Sequence, residues 1–134
     1  TTLDLISTSV TGDIAELETC PNIGYLRLPD TTEGDLAKLP KNCHFVAFSG
    51  NSNTTYTWSE RPSSSKIFSI QGGNINVSNI DKMLQDLAQC QAAIPSSGET
   101  WFKTISVAGN RTSASDAAVA TLQQKGYTIS INKA

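Results

Sequence analysis

The sequence predicts an α/β solenoid in which short parallel strands stack along one face and turns or helices return along the other. Three observations predict it. Thr2–Leu17 (TLDLISTSVTGDIAEL) and Tyr25–Leu39 (YLRLPDTTEGDLAKL) share one frame: an apolar-x-apolar core, a Thr, then Gly-Asp-apolar-Ala-x-Leu. Leu3 falls on Leu26, a period of 23 residues, inside the range of roughly 20–50 residues that marks stacked repeat units. The core then recurs as Val46/Phe48, Phe68/Ile70, Ile105/Val107 and Ile129/Ile131, at steps of 20, 22, 37 and 24 residues. Third, the later returns carry helical periodicity. One coil cannot bury its own apolar face, so these cores imply neighbours that share a continuous interior.

Each element has a local reason. Leu3/Leu5 and Leu26/Leu28 alternate with polar residues, as a strand with one buried face does. Residues 13–19 and 35–39 read as short helical turns, each begun by an Asp after a Gly, so Asp13 and Asp35 are expected to be structural. Five residues after the first apolar of each core come Thr8, Thr31, Asn51, Gly73 and Asn110. A ladder of buried Thr and Asn side chains satisfying the turning backbone is expected there, and Asn110→Leu should then destabilise. Residues 78–91 form the clearest amphipathic helix, with Ile80, Met83, Leu84 and Leu87 on one face. Ser78 is its expected N-cap, with Asp81 completing the start. Residues 113–125 form a second helix, capped by Ser113 or Ser115 and stopped by Gly126. Residues 52–65 and 92–102 break the pattern and read as loops.

At 134 residues the chain is read as one domain, 1–134. A net charge of −2 with scattered Lys and Arg argues against a nucleic-acid partner, which needs clustered cations. No apolar run approaches the roughly 18–20 residues that span a bilayer, so no direct membrane insertion is expected. The chain opens directly on a strand motif, and residue 1 is read as the start of a mature or trimmed piece of a longer protein. Cys20, Cys43 and Cys90 are an odd set, read first as buried thiols acting as small hydrophobes, with a Cys20–Cys43 disulfide as the alternative. No CxxC-type spacing suggests a metal, and no nucleotide or hydrolase fingerprint is present, so no cofactor is expected. His44 adjoins Cys43, but neighbours on a strand point to opposite faces, which argues against a nucleophile and base.

Candidate function lies where side chains face outward. Tyr25, Phe45 and Ile67 are expected in one column on three successive strands, with Arg27 beside it. An aromatic–Arg cluster of this kind resembles binding anchors, although the rings could equally pack on each other. Tyr56 and Trp58 sit in the first irregular loop, and loops on a rigid scaffold carry binding groups. Three Asn-x-Ser/Thr triplets begin at Asn53, Asn76 and Asn110. In a Ser/Thr/Asn-rich chain they read as chance rather than as glycan acceptors, and Asn110 is expected inside the ladder.

The whole chain resembles a leucine-rich repeat protein, with LxLxxT/N-type cores from Leu3 to Ile131. Its C-terminal part, FSIQGGN through YTISIN, resembles the terminal coils of bacterial secreted or cell-surface repeat proteins of gut anaerobes. The departures are the loop at 52–65 and the Val-x-Phe core of the third coil. The resemblance implies a curved, right-handed leucine-rich repeat solenoid of about six coils, an extracellular or cell-surface location and a non-enzymatic binding role. It brings no catalytic residues. Three readings result: recognition of a protein or peptide through Tyr25, Arg27, Phe45, Ile67, Tyr56 and Trp58; a structural spacer or cap of a surface protein; or a glycan-binding module using Trp58, Trp101 or Tyr56.

Overall fold

Apolar-x-apolar cores from one end of the chain to the other pair in parallel. The computed structural model describes residues 1–50, 52–57, 69–72, 75–90 and 103–134. Among these, ten strands form one sheet in the order β1-β3-β5-β7-β9-β8-β6-β4-β2, with β10 on β9. One row contains β1 (Thr2–Asp4), β3 (Tyr25–Leu28), β5 (Phe45–Phe48), β7 (Ser69–Gln71), β9 (Thr104–Arg111) and β10 (Thr128–Lys133). A second row contains β2 (Gly12–Asp13), β4 (Thr32–Asp35), β6 (Asn53–Thr55) and β8 (Asn76–Val77). Strand β9 is long enough to pair with both rows, through Ile105 to β7 and Ala108 to β8. The sheet therefore curls into a half-barrel. The fold is mixed α/β with a parallel sheet, as the repeat predicts, and is compatible with solenoid-like stacking.

Leu3, Leu26, Val46, Ile70, Ile105 and Ile129 follow one another in register through the first row. The fourth core corrects the sequence frame. Ile70, not Phe68, takes the central inward place, and Phe45 pairs with Ser69. Ile67 therefore does not complete the column of Tyr25 and Phe45; like Phe68, it lies outside the described residues. The apolar-x-apolar pattern misleads here because the next inward position is Gly72, with φ at +132°. A Cβ there would sit 2.9 Å from the Phe48 carbonyl oxygen. The second inward place is thus filled by backbone contact, not by a side chain.

The Gly-Asp repeat has a direct cause. Asp13 and Asp35 precede the one-turn helices Ile14–Leu17 and Leu36–Lys38, and each carboxylate accepts the N–H two residues on, Ala15 at 2.8 Å and Ala37 at 2.9 Å. Gly34 is held at φ +124°, and a Cβ on it would lie 2.3 Å from Asp13 Oδ1. One coil's cap thus rests on the next coil's glycine, and only Gly leaves the space.

Helix α1 (Ile80–Gln89) buries Ile80, Met83, Leu84 and Leu87, as expected. Its start differs from expectation. Asn79, in the left-handed region at φ 60°, is the N-cap residue, and its side chain instead donates to the Tyr56 carbonyl at 3.1 Å. Helix α2 (Asp116–Gln124) has Ser115 as its N-cap residue, one of the two expected, though without a side-chain cap bond; the helical turn before it, Ser113–Ser115, is capped by the Thr112 hydroxyl, which accepts the N–H of Ala114. Gly126 stops α2 as predicted: its N–H reaches Gln123 O at 2.9 Å and Tyr127 N–H reaches Leu122 O at 3.0 Å, the two bonds of a Schellman motif.

The buried Thr/Asn ladder is not where the spacing put it. Thr8, Thr31 and Asn110 are exposed, while Asn51 and Gly73 lie outside the described residues. The buried polar residues near these bends are Thr32, Ser52 and Thr54. Thr32 Oγ1 donates to Pro29 O at 2.7 Å and Thr54 Oγ1 to Asn76 O at 3.0 Å. Thr32 and Ser52 thus come one residue later than the spacing put the inward side chain, and Thr54 three residues later. All three cysteines are free thiols, with Cys43 and Cys90 buried and Cys20 half-buried.

Candidate functional site

Outward positions of the first row form two columns. One runs Thr2, Tyr25, Phe45, Ser69, and continues beside Thr104 to Thr128. The other runs Asp4, Arg27, Ala47, Gln71. Tyr25 and Phe45 stack as expected from their register, with ring centroids 4.3 Å apart and planes 8° from parallel. Such a pair contributes about 0.5–1.5 kcal/mol beyond its area.

The column is less open than the sequence suggests. Phe45 is 2 % exposed and Ser69 fully buried, although both lie on the side away from the inward leucines and isoleucines. Ser69 Oγ donates to Thr104 O at 2.6 Å and accepts from Thr104 N at 3.2 Å. The expectation that Phe45 projects into solvent is therefore corrected. Tyr25 and Ala47 remain half-buried. Tyr56, expected as an exposed loop aromatic, is instead among the largest fully buried side chains and belongs to the core cluster. It cannot serve as a stacking platform in this state. Trp58 and Trp101 lie outside the described residues.

Arg27 faces Asp4 across the strand pair, Nη1 to Oδ2 at 2.7 Å, with both side chains about two-fifths exposed, at 39 % and 42 %. The sequence puts both Asp4 and Arg27 on the outward face, but singles out only Arg27 as a binding candidate and leaves their pairing unread. The signal was present: both occupy the middle of an apolar-x-apolar core, 23 residues apart, so the repeat itself places them opposite. An exposed pair of this kind contributes about 0–1 kcal/mol. Its chemical consequence is that an acidic group approaching Arg27 through Nη1 competes with Asp4 for that donor.

A second polar system ties the helical part together. Asp81, in the first turn of α1, accepts both the N–H of Thr112 at 2.9 Å and its hydroxyl at 2.6 Å. Burial pushes the Asp81 carboxyl up, but hydrogen bonds from Ser115 and Thr112 outweigh it and hold the group below its ordinary value. Asp116 is likewise lowered, by hydrogen bonds from Lys133 and Arg111, both at 2.6 Å. Burial raises the Tyr127 phenol, with Cys90 adding to it. Asp35 makes a similar link between coils, accepting the N–H and hydroxyl of Thr57. These carboxylates are occupied in structure, which agrees with reading Asp13 and Asp35 as scaffold.

Among the described residues no group of three or more His, Cys, Asp or Glu is placed to hold a metal ion. His44 is half-buried and its ring lies over Gly24. Asn53, Asn76 and Asn110 are all exposed, so the expected shielding of Asn110 does not hold. No helix among the described residues is long and apolar enough to cross a membrane. Comparison of the chain with protein-family models, with curated proteins and with solved structures gives no match.

Proposed function

We propose that this chain is a leucine-rich repeat module, a right-handed solenoid of about six coils, that recognises a protein or peptide without catalysing a reaction. It would work outside the cytoplasm, secreted or at a cell surface, with no cofactor. The observation that supports this most is the outward cluster of Tyr25, stacked on Phe45, beside Arg27 and its displaceable partner Asp4. A half-exposed aromatic held rigid by stacking, next to a guanidinium, is a compact anchor of low entropic cost. Asp4 holds Arg27 through Nη1 alone, so the cluster favours a partner whose carboxylate takes the other guanidinium donors or competes for that one.

The test uses peptides selected from a displayed random library against the folded protein. Binders to this face should lose about tenfold in affinity on Arg27→Gln and gain on Asp4→Asn, with melting unchanged; tenfold is about 1.4 kcal/mol. Binders indifferent to both substitutions would sink the reading. A second reading, a spacer or cap without a ligand, draws support from the burial of Phe45 and the pairing of Arg27. A glycan-binding role rests on Trp58 and Trp101, without Tyr56.

A further inference from the structure

Asn53-Thr54-Thr55, Asn76-Val77-Ser78 and Asn110-Arg111-Thr112 have the Asn-x-Ser/Thr form of a glycan acceptor, and the fold groups them. Asn53 lies on β6 and Asn76 on β8. Asn110 lies on the far end of β9, past Ala108, where that strand joins the second row. None lies on β1, β3, β5 or β7, whose outward side carries Tyr25 and Arg27. Each motif is presented in the same way. Asn53, Asn76 and Asn110 are exposed, as are the hydroxyl residues Thr55, Ser78 and Thr112 two places on. The central Thr54 and Val77 are buried and Arg111 is half-buried. Residues two apart on a strand share a face, so the acceptor and its hydroxyl residue both meet solvent.

The three amides also hold no backbone in place. Asn42 and Asn79, outside any such motif, donate Nδ2 to carbonyls of the preceding repeat, Pro21 at 2.9 Å and Tyr56 at 3.1 Å. Asn53 and Asn110 donate to no group among the described residues. Asn76 donates only to Asn53 Oδ1, at 3.3 Å. An amide nitrogen has two hydrogens, so substitution leaves Asn76 one to donate.

We propose that the second-row face is N-glycosylated, at Asn110 and at one of Asn53 and Asn76. The donor is an oligosaccharide carried on a lipid pyrophosphate. The Asn Nδ2 bonds to the anomeric carbon and gives up one proton. The anomeric C–O bond breaks, and the lipid pyrophosphate leaves with the electron pair. Asn53 and Asn76 stand opposite each other in register, on strands about 4.7–4.9 Å apart. A substituted sugar ring is wider than that spacing, so a folded chain carries only one there. The sugars cover the second row and leave Tyr25 and Arg27 open. The proposal rests on the export named in the proposed function, because such acceptors belong to secreted chains.

Mass spectrometry of the protein from its native source, before and after enzymatic removal of N-linked sugars, tests it. Site mapping should find a sugar on Asn110 and on Asn53 or Asn76, with at most two sugar chains on the intact protein. In the same host Asn110→Gln should lose one sugar chain, and Asn53→Gln should move occupancy wholly to Asn76, with melting unchanged in both. Sugars on Asn53 and Asn76 of one folded chain would overturn the alternation. Cell fractionation separates the two failures. An exported chain with three bare asparagines overturns the glycosylation alone. A bare chain kept in the cytoplasm overturns the export reading with it.

Discussion

Residues 1–57 and residues 75–134 begin from the same strand core and return from it differently. In the first region each return is a one-turn helix after Gly-Asp, and a second row of strands runs beside it. In the second region the returns are α1 and α2, which pack on each other, and β9 bridges both rows. The polar groups follow suit. Asp13 and Asp35 cap their own turns and touch the next coil, whereas Asp81 leaves its own helix start and clamps Thr112, 31 residues on. The thin first region depends on tight backbone approach, and the helical region on side-chain volume.

Core truncation should break this contrast most strongly. Leu84→Ala in α1 and Leu26→Ala in β3, both fully buried, should each cost about 2–5 kcal/mol by chemical denaturation. Leu3→Ala, in the same column but only partly buried, should cost clearly less; an equal loss would mean that Leu3 is covered in solution. Next comes Gly34→Ala, where positive φ and the Asp13 carboxylate leave no room for a methyl group. It should lose about 1–3 kcal/mol, and Asp13→Ala should relieve part of that cost in a double-mutant cycle. Asp35→Ala should cost about 0.5–2 kcal/mol, the range for a lost N-cap.

Acid should weaken the helical region through its clamps. The folded Asp81 carboxyl is held below its ordinary value. Its contribution is therefore complete above the unfolded value, about 3.9, and is lost as pH falls through the folded one. Asp81→Asn should flatten that part of the acid limb of the melting curve, and amide exchange should place the difference near Thr112. An unchanged acid limb would show that the clamp does not form. The smallest effect is expected at Asn110. It is exposed, so Asn110→Leu should change stability by no more than about 0.5 kcal/mol, against the larger loss that the turn spacing alone implies.

Much of this was readable residue by residue. The inward column from Leu3 to Ile129, the Asp13 and Asp35 caps, the buried face of α1 and the Gly126 stop are local patterns, and each depends on residues a few places apart. The fourth core was misread because Gly72 supplies an inward position with no side chain, so the alternation shifted to Phe68. The candidate site was half legible. Register between neighbouring coils predicts the Tyr25–Phe45 stack and could have predicted Asp4 opposite Arg27.

What the sequence by itself determined is the alternation, the repeat length, the Asp13 and Asp35 caps and the Gly126 stop, because these follow from which residues satisfy nearby backbone and which must leave water. Only the tertiary structure decided what covers what. Phe45 and Tyr56 are buried, Asn110 is exposed, Asp81 reaches Thr112, and Leu3 is less buried than Leu26. Burial and long-range pairing depend on every neighbouring coil together, and no window of sequence contains them.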